Sequence, residues 1–444
     1  MHVWNIVAKR WELHRNERSS RAALEERQLR KLRRLAVHAA RNSPYWAEIV
    51  ERHGIDPARC RITDFPLLTK QDLVANFDQC LTVKDVTRAA LWDFMETTED
   101  PSLLFKGRYV VMHSSGTSGR PVVHCCHVAD WLKAATRAVR YDRPTLRKKR
   151  VAHFGRQGHS AGSKIAHSVR LGPLKHFYEL LAIDSAEPME EVVRKLNDFQ
   201  PELLGGYPST VALLAEQQAK GALAIAPRRI LCSGEQLTPV QSQEIKQAFQ
   251  RRPRNLYLTS EHLLMAMDGP RFEGMYLMED DLIFEFLDGR TVVTNLTNRT
   301  QPLIRYVSDD VLRPLEDRDR RWPFTKIATL EGRVTYDLVF RADDGELAPL
   351  DFHSISLLRL RFVRRFQMQQ ESEKAFVFRV VLEAGRSASE CAEALDFARQ
   401  RIDRTLAENR MTKVQFTLDA VEEIPVNPHT GKFELVIPAK TLSQ

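Results

Sequence analysis

The stretch YVVMHSSGTSGRPVV, residues 109–123, decides the reading of the fold. A β-branched, apolar run enters a loop of small hydroxyl and glycine residues and then resumes, which predicts strand, loop, strand. Ser114, Ser115, Thr117 and Ser118 offer hydroxyls. Gly116 and Gly119 let the backbone turn with positive φ and bring its N–H groups close to a polyanion, which is what a phosphate cradle needs. A P-loop would read GxxxxGK[ST] and open a helix, whereas Gly119 is followed by Arg120, Pro121 and two valines, so a P-loop nucleoside triphosphatase is excluded. On composition alone, an ordinary Gly/Ser hairpin turn is the competing explanation.

Composition narrows the class. The 444 residues are 43% hydrophobic and 28% charged, enough for two or three domains with their own cores. The net charge of +8 draws on the basic run Arg27 to Arg34 and on Arg140 to Arg150. No aromatics interleave with the first run, so a solvated helix face explains it better than nucleic-acid binding. Six cysteines form no CxxC pair and no disulfide-like framework. No signal pattern opens the chain and no apolar run approaches the length of a membrane span, so the expectation is a soluble cytoplasmic protein.

In chain order, residues 1–42 are helical by pattern, and 1–80 form a helical N-terminal region in which Ser43-Pro44 and the turn before Lys70 start helices. The run HCCH at 124–127 suggests a metal, but neighbours on a strand point to opposite faces, and strand packing is the simpler account. Residues 151–162 read as a strand breaking into a glycine-rich loop. Next come PELLGGYPSTVALL, with a helix capped near Ser209, and RRILCSGEQLTPVQ, with Thr238 as N-cap. Strands alternating with helices predict a layered α/β domain, and Gly205 to Pro208 and Ser233 to Glu235 then fall at strand ends, where such sheets bind ligands. From Asn255 onward the pattern is antiparallel, with Asp288-Gly289 as a hairpin turn. The predicted organisation is a large domain over 1–340 with a β-rich part, then a small mobile α+β domain over 341–444.

Six motifs now occur in order: the loop 114–121; Ser233-Gly234-Glu235; Tyr257-x-x-x-Glu261; Arg305-Tyr306 with Asp310; Gly332-Arg333; and, at the end, Lys432 in TGKF. In this order they resemble the adenylate-forming superfamily, in its phenylacetate-CoA ligase and CapK-like branch. The resemblance implies that Ser114, Ser115, Gly116, Thr117, Ser118 and Gly119 hold phosphates with Ser233, Gly234 and Glu235. It further implies that Tyr257 stacks on adenine, Glu261 helps hold Mg²⁺, Asp310 accepts from the ribose, Arg333 contacts ribose or phosphate, and Lys432 bridges carboxylate and phosphate. Taken singly, each has an ordinary structural explanation: a core tyrosine, a turn carboxylate, a surface ion pair, a tail lysine.

The implied activity is ATP-dependent activation of a carboxylic acid as acyl-adenylate, with pyrophosphate released and the acyl group passed to a thiol, CoA by default. A carrier-protein thiol, an amine or a hydroxyl would use the same first half-reaction, and a non-catalytic nucleotide-binding homologue is the alternative from another class. His153, Phe154, Gly206, Tyr207 and Pro208 are the expected acid pocket, an apolar and aromatic mixture suited to an aryl or medium acyl acid. The sequence departs from the family pattern in three places. Arg120 stands for the usual lysine, and RYVSDD for RYRxGD. Between Leu263 and Glu285 there is no Cys or His, so no structural zinc is expected.

Overall fold

The computed structural model describes the chain apart from residues 1–2, 99, 115–121, 139, 141–146, 270–271, 318–321, 328–337, 351–359, 361, 384, 426–432, 434–435 and 440–444, and the side chains of 3–6, 272–273 and 349. Its elements begin where the local chemistry says they should. Ser43 caps Pro44–Arg52 by accepting from the Trp46 amide, and Thr69 and Asp72 close a capping box on Lys70–Ala75. Thr238 with Gln241 does the same for Pro239–Phe249. One expected cap fails: the helix Pro208–Ala219 has Tyr207 at its N-cap with no side-chain bond, and the Ser209 amide is instead met by the Glu235 carboxylate at 3.1 Å. Pro208 occupies the first turn, so the acceptor has to come from a neighbouring loop.

The chain divides into two compact units, one of residues 1–116, 120–308 and 312–330, the other of 331–444 with the short pieces 117–119 and 309–311. In the first unit an eight-stranded sheet runs Lys326–Ile327, Phe272–Leu277, Leu263–Gly269, Arg254–Thr259, Arg229–Ser233, Leu203–Gly206, Lys149–Phe154, Tyr178–Ile183. The last five are parallel. Arg254–Thr259, read from the sequence as the opening of an antiparallel part, therefore closes the parallel one and pairs antiparallel only with Leu263–Gly269. Met189–Phe199, Pro208–Ala219 and Pro239–Phe249 cover the parallel strands with Val192, Leu196, Val211, Leu214 and Ile245.

Two smaller pieces of sheet flank this layer. Tyr109–His113 and Val123–His127 form the expected hairpin, with Cys125 in one apolar cluster and Cys126 in another. That division is the alternation of a strand. Leu282–Leu287 and Arg290–Asn295 form a second hairpin whose turn residues Asp288 and Gly289 have φ of 47° and 75°, as a two-residue loop of this type requires. Its third strand, Tyr306–Val307, is tied to the N-terminal region at Leu68, whose carbonyl accepts from the Val307 amide and whose amide donates to the Arg305 carbonyl.

The second unit has a four-stranded sheet, in the order Gln415–Ala420, Ala375–Leu382, Val363–Ser372, Val436–Ile437, packed with the helix Ala388–Glu408 around Phe376, Phe378, Ile402 and Leu406. A short hairpin, Leu338–Arg341 with Leu347–Leu350, adds Leu338 and Phe340 to that core. The α+β character read from the sequence is present.

Candidate active site

The parallel strands are not visited in spatial order. From Lys149–Phe154 the chain goes to an edge strand on one side, Tyr178–Ile183, and then returns to Leu203–Gly206 on the other. The order reverses between Phe154 and Gly206. In a parallel sheet the crevice at such a reversal, beyond the carboxyl ends of the strands, is where ligands bind. His153, Phe154, Gly206, Tyr207 and Pro208, the five residues expected to form the acid pocket, lie at that crevice. The neighbouring carboxyl ends carry Ser233-Gly234-Glu235 and, after Thr259, the turn Ser260 to His262.

The backbone here is tight. A methyl group on Gly206 would stand 2.4 Å from the Phe154 carbonyl oxygen, and Thr210 Oγ1 donates to that same oxygen at 2.8 Å. Gly206 is therefore needed for close approach of the two strand ends. His153 lies beside Gly155 and Gly205. Gln157 fixes its state: the amide nitrogen donates to the Gly155 and Ile183 carbonyls and lies 3.3 Å from His153 Nδ1, while its oxygen is 3.0 Å from His167 Nε2. Burial pushes His153 and His167 down to about 4, with neighbouring charge adding to the effect, so both rings are neutral at pH 7. Burial, with Glu235 nearby, raises the Tyr207 hydroxyl well above its usual value.

The hairpin of Tyr109–His113 and Val123–His127 is fastened to these loops at its base. The His113 amide donates to the His159 carbonyl at 3.1 Å, and Ser260 Oγ donates to the His113 carbonyl at 2.8 Å. Ser114 closes the neck of the loop, its amide on the Val122 carbonyl and its hydroxyl accepting from the Val122 amide. Ser115, Gly116, Thr117, Ser118 and Gly119, like Arg333 and Lys432, lie outside the described residues.

Glu261 is the carboxylate at this junction. Its side chain is 16% exposed, and Oε1 stands 3.5 Å from Nε2 of the buried His124. Burial alone would raise this acid; its contact with His124, with His262 beside it, outweighs burial and holds the carboxyl well below the usual range. Beside them is a cavity of about 20 Å³ lined by His124, Asp130, Glu261, Asn295 and Asn298, among others. His124 was seen in the sequence only as part of HCCH, and its pairing with a glutamate so far along the chain left no local signal.

Other predicted residues fare differently. Tyr257 is buried in the core with Leu264, Ala266 and Met267. Arg305 is spent on structure, with two bonds to the Glu285 carboxylate at 2.9 and 3.0 Å and a third to the Phe65 carbonyl. Asp310 is buried just beyond Tyr306–Val307. Among the described residues no group of three or more His, Cys, Asp or Glu side chains could hold a metal ion. Mg²⁺ asks for less, since it binds through one or two carboxylates together with substrate phosphates, and the hard oxygen donors of Glu261 fit that demand.

No family model matches the chain. A curated relative, Protein CapK of Staphylococcus aureus, is 24% identical over 288 residues, which is 61% of this chain and 58% of that protein, so the match spans less than two thirds of its length. Among solved structures, a 2-hydroxyisobutyryl-CoA ligase in the postadenylation state, in complex with R3-HIB-AMP, superposes with a TM-score of 0.74 at 17% identity, covering 97% of this chain and 92% of that one. The same enzyme in complex with 2-HIB-AMP and CoA in the thioesterification state gives 0.57 at 18% identity, covering 96% and 91%. The fold is that of the adenylate-forming CoA ligases. Among the described residues no helix is long and apolar enough to cross a membrane.

Proposed function

We propose that the chain is an AMP-forming acid–thiol ligase, which converts a carboxylic acid and ATP to acyl-adenylate and pyrophosphate and then passes the acyl group to a thiol, CoA by default. One observation supports this reading: the base of the hairpin is bonded both to the loop after Phe154 and to the turn that carries Glu261, along the carboxyl ends of a sheet whose fold matches a CoA ligase along 97% of the chain. The acid lies in the crevice between Phe154 and Gly206, among the neutral His153, Phe154, Tyr207 and Pro208. The loop 114–121 offers backbone N–H groups and hydroxyls to the phosphates. When bound, Mg²⁺ offsets the repulsion between the phosphates and the incoming carboxylate, and Glu261 is the side chain that would hold it.

Asp310 accepts from the ribose, while Arg333 and Lys432 add positive charge where the adenylate forms. Lys432 belongs to a small domain, over 341–444, that alternates between the two half-reactions. An enzyme using ATP and CoA, with unpaired cysteines, works in the cytoplasm. A carrier-protein thiol would meet the same adenylate. Pyrophosphate release against a panel of aryl, hydroxy and medium-chain acids, with and without CoA, tests the reading. CoA-dependent turnover with one acid class is expected, and ATP binding with no turnover for any acid or acceptor would overturn it in favour of a non-catalytic homologue.

A further inference from the structure

Residues 1–42 hold eleven Lys and Arg against four Asp and Glu, a net of +7 out of the +8 of the whole chain. They form two helices, Val3–Glu17 and Arg21–Asn42. One face of the first is anchored: Leu13 is fully buried, Lys9 pairs with Asp281 at 2.7 Å, and Asn16 donates to Asp280 at 2.7 Å. The outward face is therefore held rigidly toward solvent. It carries Val7 and Trp11, 50% and 65% exposed, one turn apart. Among the described residues these are the only two exposed large apolar side chains that share a helix.

Cations continue the stripe. Arg15, one turn beyond Trp11, places its guanidinium 5.1 Å from the indole centroid, and Arg18 follows. From the second helix, Arg27 comes close enough to Arg15 and Arg30 for their like charge, after burial, to lower its pKa. Its Nε and Nη2 are covered yet meet no acceptor among the described residues. Asp280 and Glu12 face the same guanidinium with opposite charge, so Arg27 adds positive potential behind the stripe rather than standing as an orphaned ion. An indole beside an exposed valine, edged by arginines, is the composition of a surface that lies in the headgroup region of a bilayer.

We propose that this face of the two N-terminal helices docks on an anionic phospholipid surface, with Trp11 and Val7 entering the interface, Arg15 and Arg18 meeting headgroup phosphates and Arg27 adding positive potential behind them. Charge complementarity selects the anion. The bare Val7 and Trp11 select a lipid surface over nucleic acid, which would have no use for an aliphatic side chain. The first unit then works at the membrane without spanning it.

Flotation of the full chain with vesicles of phosphatidylcholine, with and without phosphatidylglycerol, tests this directly and needs no knowledge of the acid. Binding should require phosphatidylglycerol and weaken with salt. Replacing Arg15 by Gln should lower partitioning about fivefold, Arg27→Gln similarly, and Trp11→Ala at least about tenfold. If Arg27→Gln fails to fold, the two exposed positions carry the test. Equal binding to neutral vesicles, or no loss in Trp11→Ala, would overturn the proposal. So would a concentration-dependent dimer dissolved by Trp11→Ala, which would make the face an interface between copies, or tighter binding to an oligonucleotide than to vesicles.

Discussion

Replacing Asp281 by Asn should release the N-terminal helices from the sheet. The Asp281 side chain is 1% exposed and receives the ammonium groups of Lys9 and Lys31 at 2.7 and 2.8 Å. Lys31 also meets Glu12 at 2.6 Å and the Asp280 carbonyl at 2.8 Å. Burial alone would raise the Asp281 carboxyl, but the two lysines and Arg137 outweigh it and hold it far below the usual range. An asparagine keeps the shape and removes the charge, which leaves the buried Lys9 with Glu12, a quarter exposed, at 3.3 Å as its remaining carboxylate. Breaking a buried pair costs about 3–5 kcal/mol, and because Glu12 partly compensates both lysines the lower end, about 3 kcal/mol, is expected.

For a unit of this size that is a fall in Tm on the order of 5 °C. Hydrogen exchange should show lost protection in Val3–Glu17 before the central strands change. The sign with pH follows from the depressed carboxyl. Its contribution is complete above the unfolded value of about 4 and is lost below it, so the gap between wild type and variant should narrow under about pH 4. A variant within about 0.5 kcal/mol of wild type at pH 7, with exchange unchanged, would refute the reasoning.

Three further substitutions probe the site. Gly206→Ala should cost about 1–3 kcal/mol, because the new methyl meets the Phe154 carbonyl oxygen and the strand ends must separate; an unshifted melting curve would show that the crevice is looser than described. His124→Leu should weaken Mn²⁺ or Mg²⁺ binding in the presence of ATP by about 10–100-fold, by freeing the carboxylate of Glu261 from its neighbour. Calorimetry with and without metal reads this, with metal-free ATP binding unaffected, and an equal loss in both would assign His124 to packing alone. Lys432→Ala should slow adenylation by about 10²–10³-fold while a supplied acyl-adenylate still becomes thioester at the normal rate. Equal slowing of both half-reactions would end the domain-alternation model.

What could be read in the sequence was local. The hairpin turn Asp288-Gly289, the caps at Ser43, Thr69 and Thr238, and the alternation of HCCH each depend on a few adjacent residues, and the structure has them where they were expected. The crevice itself was half legible. Gly206 and Ser233 were placed at strand ends, but that the order reverses between Phe154 and Gly206 is a property of strand pairing, which no window of sequence contains. The same limit explains Ser209 and Arg305. A serine after Pro208 looks like a cap, yet Glu235 from the next loop supplies the acceptor; an arginine before Tyr306 matches a family motif, yet Glu285 across the sheet and the Phe65 carbonyl take its bonds.

Glu261 shows how far a motif carries. The family resemblance singles it out, four residues after Tyr257, but the property a metal ligand would need, an ionised carboxylate held in a largely covered site, comes from His124 on the hairpin of Tyr109–His113 and Val123–His127. Since Ser260 bonds the same hairpin at His113, the turn that carries the carboxylate meets the hairpin strands through two contacts. Glu261 and the hairpin should therefore respond to substitution as one unit. A double variant, His124→Leu with Ser260→Ala, should lose more metal affinity than the two single variants combined, because each contact alone still holds the turn against the hairpin. Strictly additive losses in calorimetry would mean that the turn is positioned by its own strands, Arg254–Thr259 and Leu263–Gly269, and that the hairpin merely lies beside it.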